Sequence, residues 1–502
     1  MIDALRYSVY AASVSLVLAG NLGPLRASRV GSTLRVLGYV ALLALLYEWY
    51  LETLPSVLLV VSVAVASMVT LYTPGYSLRK YGTTTLTPLV DFFTLSTVLV
   101  FTSKYLIEFV AFWLMAEVLG FFVVVHDAMV GLNQRAWSAG LRYLVVSMVP
   151  ADLSLLLLLA LVGLNASIGV PLTSLRIDLG APVLTAIAML GFMAKAAVAP
   201  LHFWLPDAHS MAPSPGSAVL SGLMVKMGVY GLARLTMGQA ISVETAAFTC
   251  LLFGSLTAIY GGLQALVQSD IKRILAYSTI SHTSTMTILL GLYVYSGSPE
   301  FLAAATIYAA AHAVYKATLF MDSGVVELLT HTRSIERLGY VSRVAPVETL
   351  SALIAMLSLV GVPPTLGFLS KLLMFMTLAS HISASWVYLA LTLVVAFEVA
   401  LSIGYGVRYL LAHMGNPTYR YEELDPSGAR LSPYVLILSA SSIALTFYAV
   451  GSVGAAALSN VLTQVYTLLI LFSALFGIAG WVTYDLVRHG RKDEAWLGGA
   501  RP

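Results

Sequence analysis

The stretch GFMAKAAVAPLHFWLPDAHSMAPSPGSAVLSGLMVKMGVYGLARL, residues 191–235, carries one lysine near the end of an apolar run and a second deep inside the next. Between Lys195 and Lys226 lies a segment rich in Pro, His and Trp that no straight helix crosses. A protonated lysine at the centre of a membrane helix costs about 2.5–3.5 kcal/mol on insertion scales. Lys316 and Lys371 repeat the pattern further along, so four of the eight lysines fall inside spans long enough to cross a bilayer. Ionisable groups at such depth mark ion pathways and proton relays by default. Lysine gives up its proton when buried, which arginine does not. Proton movement is therefore the first functional reading.

Composition agrees with the spans. The chain is 59% hydrophobic and 10% charged, against about 25% charged in soluble domains. Fifteen apolar spans are read, near 8–24, 34–52, 54–74, 85–102, 105–126, 141–164, 181–200, 215–236, 246–267, 272–294, 300–324, 345–378, 386–411, 432–454 and 460–486. The predicted fold is an all-α polytopic membrane protein of 14–15 transmembrane helices. Span 345–378 is interrupted by Pro363-Pro364, and span 181–200 ends at Pro200. Breaks at membrane depth are tolerated only where protein or a polar cavity covers the freed backbone. The two breaks suggest two inverted five-helix repeats, 85–236 and 246–411, preceded by a three-helix segment, 1–84, and followed by 432–502. With the N-terminus outside, nineteen Lys and Arg fall inside and four outside, which places the C-terminus in the cytoplasm of a cell membrane. The start MIDALRYSVY lacks the pattern of a cleaved signal peptide, so the first helix is expected to be retained.

Several chemistries are disfavoured. The single Cys250 holds neither an internal disulfide nor an iron–sulfur cluster, and no CxxCH, Walker A or GxGxxG motif is found. No cofactor is expected in this chain, so redox or nucleotide chemistry would sit on another. A net charge of +3 carries no nucleic-acid signal. The expected surroundings are membrane lipid and other membrane subunits.

The candidate relay begins at Glu117, flanked by apolar residues in EFVAFWLMAEVLGFFVVV and paired by expectation with Lys195. A lysine loads a proton while the acid is near and discharges it when the acid moves away. The plainer reading is a static pair pinning two helices. Lys226 has no acid in its own helix. His312 and Lys316, four apart, share a helix face and could act as a pair. His282 lies among Tyr277, Ser278, Thr279, Ser281, Thr283, Ser284 and Thr285, hydroxyls that either order water or bind helices together. Lys371 follows the break GVPPTLGFLSK and suits an exit site. Asp91, Asp152, Asp322 and Glu398 are further acids without an assigned partner. His202, Asp207 and His209 could be zinc ligands by type, but a loop capping the broken helix is the stronger reading.

The run 191–235 resembles the signature of the antiporter-like subunits of respiratory complex I. Energy-converting hydrogenases and multisubunit sodium/proton antiporters contain similar subunits. SDIKRILAYSTISH (269–282), HAVYKATLF (312–320) and GVPPTLGFLSK (361–371) are similar to family motifs in family order, and the likeness spans about 85–411. It implies two inverted bundles, each with a broken helix, and proton transfer from Glu117–Lys195 through Lys226 and the His312/Lys316 region to Lys371; His282 is a further relay candidate from its own setting. It also implies a driving redox reaction elsewhere, as in a complex I-type dehydrogenase or a hydrogenase. A sodium/proton antiporter without a redox partner is the alternative, with sodium as the other candidate ion. An inert membrane scaffold and a solute transporter are the remaining rivals. The chain departs from the family at Thr283-Ser284, where a Met-Gly pair is usual, and at Asp152.

Overall fold

The computed structural model describes residues 2–49, 53–237, 240–415 and 424–457. Residues 1–449 form one compact unit. In the second, 450–502, only helical backbone to Ala457 is described. The principal helices are α1 (Ile2–Gly20), α2 (Arg29–Ala41), α3 (Thr53–Tyr81), α4 (Leu86–Phe101), α5 (Leu106–Val124) and α6 (Arg135–Val162). After these come α7 (Pro182–Lys195), α8 (Trp204–Met211), α9 (Ser214–Thr236), α10 (Val243–Val267), α11 (Ile271–Ser296) and α12 (Pro299–Thr330). The set ends with α13 (Pro346–Val360), α14 (Leu366–His381), α15 (Trp386–Met414) and α16 (Ser432–Ala457). Among the described residues, every span read from the sequence up to residue 454 is met by helix, and span 460–486 lies outside them. Seven described helices are long and apolar enough to cross a membrane by length and composition alone. A two-residue parallel ladder, β1 (Asp178–Leu179) on β2 (Ala240–Ile241), ties two loops together.

The arrangement is inverted relative to a soluble protein. Residues 214–233 of α9, 278–292 of α11 and 304–326 of α12 are buried on all sides, although they hold Lys226, Lys316 and a dense set of hydroxyls. The rim is apolar and exposed: Leu141, Leu153 and Leu156 on α6, Phe248 and Leu256 on α10, Leu393 and Val407 on α15. Polar groups turned inward and aliphatic ones outward suit a hydrocarbon solvent.

Both breaks have local causes. Helix α7 stops at Lys195, where Ala197 turns to φ 57°. The carbonyl of Ala194 accepts from Ala197 N at 3.1 Å and from Trp204 Nε1 at 2.9 Å, and Ala199 N donates to Thr257 Oγ1 at 3.0 Å. Helix α13 ends at Gly361, φ 93°, a conformation cheap only for glycine. Neither Pro363 nor Pro364 can donate to continue the ladder. Thr365 then caps α14 by accepting from Phe368 N. One loop expectation is corrected: Arg35, counted among the inside loop charges, lies in α2 and is fully buried against Asp91.

Candidate functional site

Helices α5, α6 and α7 meet at Glu117, Lys195 and Asp152. Lys195 Nζ lies 2.6 Å from Glu117 Oε1, and neither side chain has exposed surface. The ammonium also sits 4.9 Å from the Tyr143 ring centroid, a cation–π distance. Tyr143 OH donates to the Glu117 carbonyl at 3.2 Å. Asp152 brings a second carboxyl to Glu117, which gives that acid a neighbour the sequence could not assign. A π-helical turn, Leu144–Met148, lies within α6 between Tyr143 and Asp152.

The next lysine belongs to α9. A second π-helical turn, Leu220–Met224, leaves the Ser221 carbonyl free to accept from Lys226 Nζ. The same ammonium meets His312 Nδ1 of α12. The His312–Lys316 pair expected from their shared face does not form: His312 turns to Lys226, while Lys316 donates to Leu275 O at 3.0 Å and to Ser278 Oγ. Spacing of four places two residues on one face, but neighbouring helices decide which way each bonds. The link between Lys226 and Lys316 runs through α11. Ser221 Oγ and Thr279 Oγ1 are 2.8 Å apart, and Thr279 donates to the same Leu275 carbonyl at 2.8 Å.

His282 occupies the centre. Its ring centroid is 5.6 Å from that of His312. Nδ1 lies 3.1 Å from Glu398 Oε1 and 2.8 Å from Tyr308 OH, while Tyr405 OH lies 2.9 Å from Nε2. Glu398 therefore answers His282, and Ser281 donates to the same carboxyl oxygen at 3.3 Å. One turn on from Glu398, Ser402 accepts from Lys371 Nζ at 3.2 Å. That ammonium also donates to Leu359 O and Val360 O, at 2.8 and 3.0 Å, the last carbonyls of α13. A cation there complements the negative helix end.

The α11 hydroxyls divide between the two readings. Thr283, Ser284, Thr285 and Thr287 bond to carbonyls of their own helix, whereas Ser278, Thr279 and Ser281 reach Lys316, Ser221 and Glu398. His202, Asp207 and His209 point to separate partners: the Tyr260 ring, the guanidinium groups of Arg142 and Arg273, and the Phe320 ring. Among the described residues no group of three or more His, Cys, Asp or Glu is placed to hold a metal. Asp91 stands apart from the buried lysines, clamped by Arg35 at 3.1 Å, Asn21 and Thr70. Asp322 meets Tyr409 and His413 instead of a lysine. Sequence reading named neither Tyr405 nor Ser402, because a lone hydroxyl in an apolar helix carries no signal of its own.

The membrane-helix family described as NADH:quinone oxidoreductase/Mrp antiporter matches residues 103–400. An uncharacterised protein of Mycobacterium tuberculosis is 31% identical over 381 residues, covering 73% of this chain and 57% of that protein. An Na(+)/H(+) antiporter subunit from Alkalihalophilus pseudofirmus is 41% identical over 204 residues, 38% of this chain and 25% of its own length. Hydrogenase-4 component B of Escherichia coli is 33% identical over 195 residues, 37% of this chain and 29% of its own length. The chain thus matches under two thirds of the length of each of these three relatives. A solved structure of the Mrp complex from Dietzia sp. has a chain of the same fold, with TM-score 0.70, 18% identity, and coverage of 88% of this chain and 95% of that one. The matched segment holds every residue from Glu117 to Glu398 described above, and this multi-pass membrane chain belongs to the NADH:quinone oxidoreductase/Mrp antiporter family.

Proposed function

We infer that this chain moves protons along Glu117, Lys195, Lys226, His312, Lys316, His282, Glu398 and Lys371, as one membrane subunit of a larger complex. The observation that carries the reading is the chain of buried contacts from the Lys226–His312 pair to Lys371. Each titratable group in it touches a titratable, hydroxyl or carbonyl group of a different helix. A purely structural set of charges is expected to pair off completely, whereas Lys316 and Lys371 rest on neutral oxygens. Lysines so placed can carry or release a proton at modest cost. The two broken helices support 85–236 and 246–411 as inverted repeats around this line. The N-terminus is assigned to the outside and the 331–345 side to the cytoplasm.

Two drives fit the relatives. One is redox chemistry on partner subunits, as the hydrogenase component suggests. The other is a sodium gradient, as the antiporter relative suggests. Proton movement would be followed in inverted membrane vesicles that carry the chain with its native partners, wild type against Lys226→Met. Loss of proton movement in an intact complex is expected, and unchanged movement would sink the relay. Collapse of the wild-type signal by a sodium ionophore would select the sodium drive, and its survival together with oxidoreductase activity the redox drive.

A further inference from the structure

A second cluster of buried titratable groups lies off this line, toward the 331–345 loop. Asp322 is on α12, six residues beyond Lys316 and so about 9 Å further along the axis. Glu348 is in the first turn of α13, His413 is in the last turn of α15, and all three have no exposed surface. Asp322 Oδ2 accepts from Tyr409 OH at 2.5 Å and from His413 Nε2 at 3.1 Å. Thr349 Oγ1 lies 3.3 Å from His413 Nδ1, so the ring bridges Thr349 and the acid. The Glu348 carboxyl reaches the Asp322 carboxyl, beside the Ser432 hydroxyl. Tyr72 of α3 adds its ring and donates to the neighbouring Met321 carbonyl at 3.0 Å. The cluster contains neither lysine nor arginine.

The hydrogen bonds leave one place for a proton. Asp322 Oδ2 already has two donors. Asp322 Oδ1 and both Glu348 oxygens are fully buried with no hydrogen-bond partner among the described residues. Two carboxylates in contact cannot both stay charged at such depth. A proton on Glu348 supplies the missing donor, to Asp322 Oδ1, and removes one of the two charges. We propose that Asp322 and Glu348 share a single exchangeable proton and form a loading site that feeds Lys316 from the 331–345 side. The step is a transfer only: the proton leaves Glu348 by way of Asp322 and arrives on the Lys316 amine, and another from the aqueous side replaces it. This rests on the relay reading above.

The test uses Glu348→Gln and Asp322→Asn in the full chain with its native partners, with Lys226→Met as control. Infrared difference spectra of the membranes would report the carbonyl stretch of a protonated carboxylic acid and its shift in heavy water. The band is expected in wild type and in Lys226→Met, and is expected to vanish in Glu348→Gln. Proton movement is expected to fall at least tenfold in Glu348→Gln and in Asp322→Asn. The amide introduced by Glu348→Gln can still donate to Asp322 Oδ1, so a purely structural hydrogen bond would leave that variant near wild type and only Asp322→Asn impaired. That result, or a band that persists in Glu348→Gln, overturns the proposal. If Glu348→Gln moves protons normally while Lys226→Met does not, the relay survives and the loading site is lost. If Lys226→Met itself moves protons normally, the relay falls and the feeding role with it.

Discussion

Glu117 and Lys195 lie 2.6 Å apart with no exposed surface on either. Removing one member of such a pair leaves a buried charge and costs about 3–5 kcal/mol. Glu117→Gln should therefore lower the thermal unfolding midpoint in detergent. The double change Glu117→Gln with Lys195→Met should recover part of the loss, because no charge is left unpaired. Both variants should lose proton movement by about a hundredfold or more, the scale on which positioned acid–base groups act. A residue in the short helical turn after α5, His126–Met129, gives a pH prediction. Burial alone would raise the Asp127 carboxyl, but His126, Lys80 and Tyr81 together bring it down to about 2. Its folded value lies below its unfolded one, so its stabilisation is present above about pH 4 and lost as pH falls from there toward about 2. Asp127→Asn should remove that part of the acid sensitivity, read as unfolding midpoints across this window.

At the scale of elements, the two interruptions place the lysines. Lys371 faces the carbonyl end of α13 only because Gly361 takes φ 93°, and a Cβ there would come within 2.7 Å of Lys371 Cδ. Gly361→Ala should cost about 1–3 kcal/mol in strain and push the ammonium off Leu359 and Val360, with proton movement falling accordingly. Gly406→Ala is the control, since its Cβ would meet nothing nearer than 3.4 Å. Gly228 lets α9 pass against the end of α7, where a Cβ would lie 2.4 Å from Ala196 N and 2.6 Å from Phe192 O. Backbone cannot give way as a side chain does, so Gly228→Ala should destabilise by about 1–3 kcal/mol or more and disturb Lys195 and Lys226 together. The prolines of both breaks were legible in the sequence. The π-helical turns in α6 and α9 were not, because no residue type demands them.

At the scale of the whole molecule, the buried helices are the polar ones and the rim is aliphatic. The orientation proposed from the charge bias can be tested directly. The sole cysteine, Cys250, is buried. Cysteines introduced at exposed Gln134 and Glu300 should therefore be the ones that react with an impermeant maleimide. Gln134→Cys should label only in inverted vesicles and Glu300→Cys only in right-side-out cells; the reverse pattern would turn the chain over and exchange the entry and exit sides of the relay.

Hydrophobic periodicity is a property of neighbours along the chain, so the spans, both breaks and the four deep lysines could be read without coordinates. The Glu117–Lys195 pair was also legible, since each is the deepest charge of its own helix. The partners of Lys226, Lys316, His282 and Asp322 were not. Each comes from a helix tens of residues away, and which of several buried groups a side chain meets depends on how α9, α11, α12 and α15 are rotated against one another. Glu348 shows the limit most plainly. In the sequence it is an acid in the first turn of a helix behind Pro346, an ordinary place for one. Only the packing of three helices brings it to Asp322, itself bonded to His413, out of reach of water, where a carboxyl must share a proton to stay.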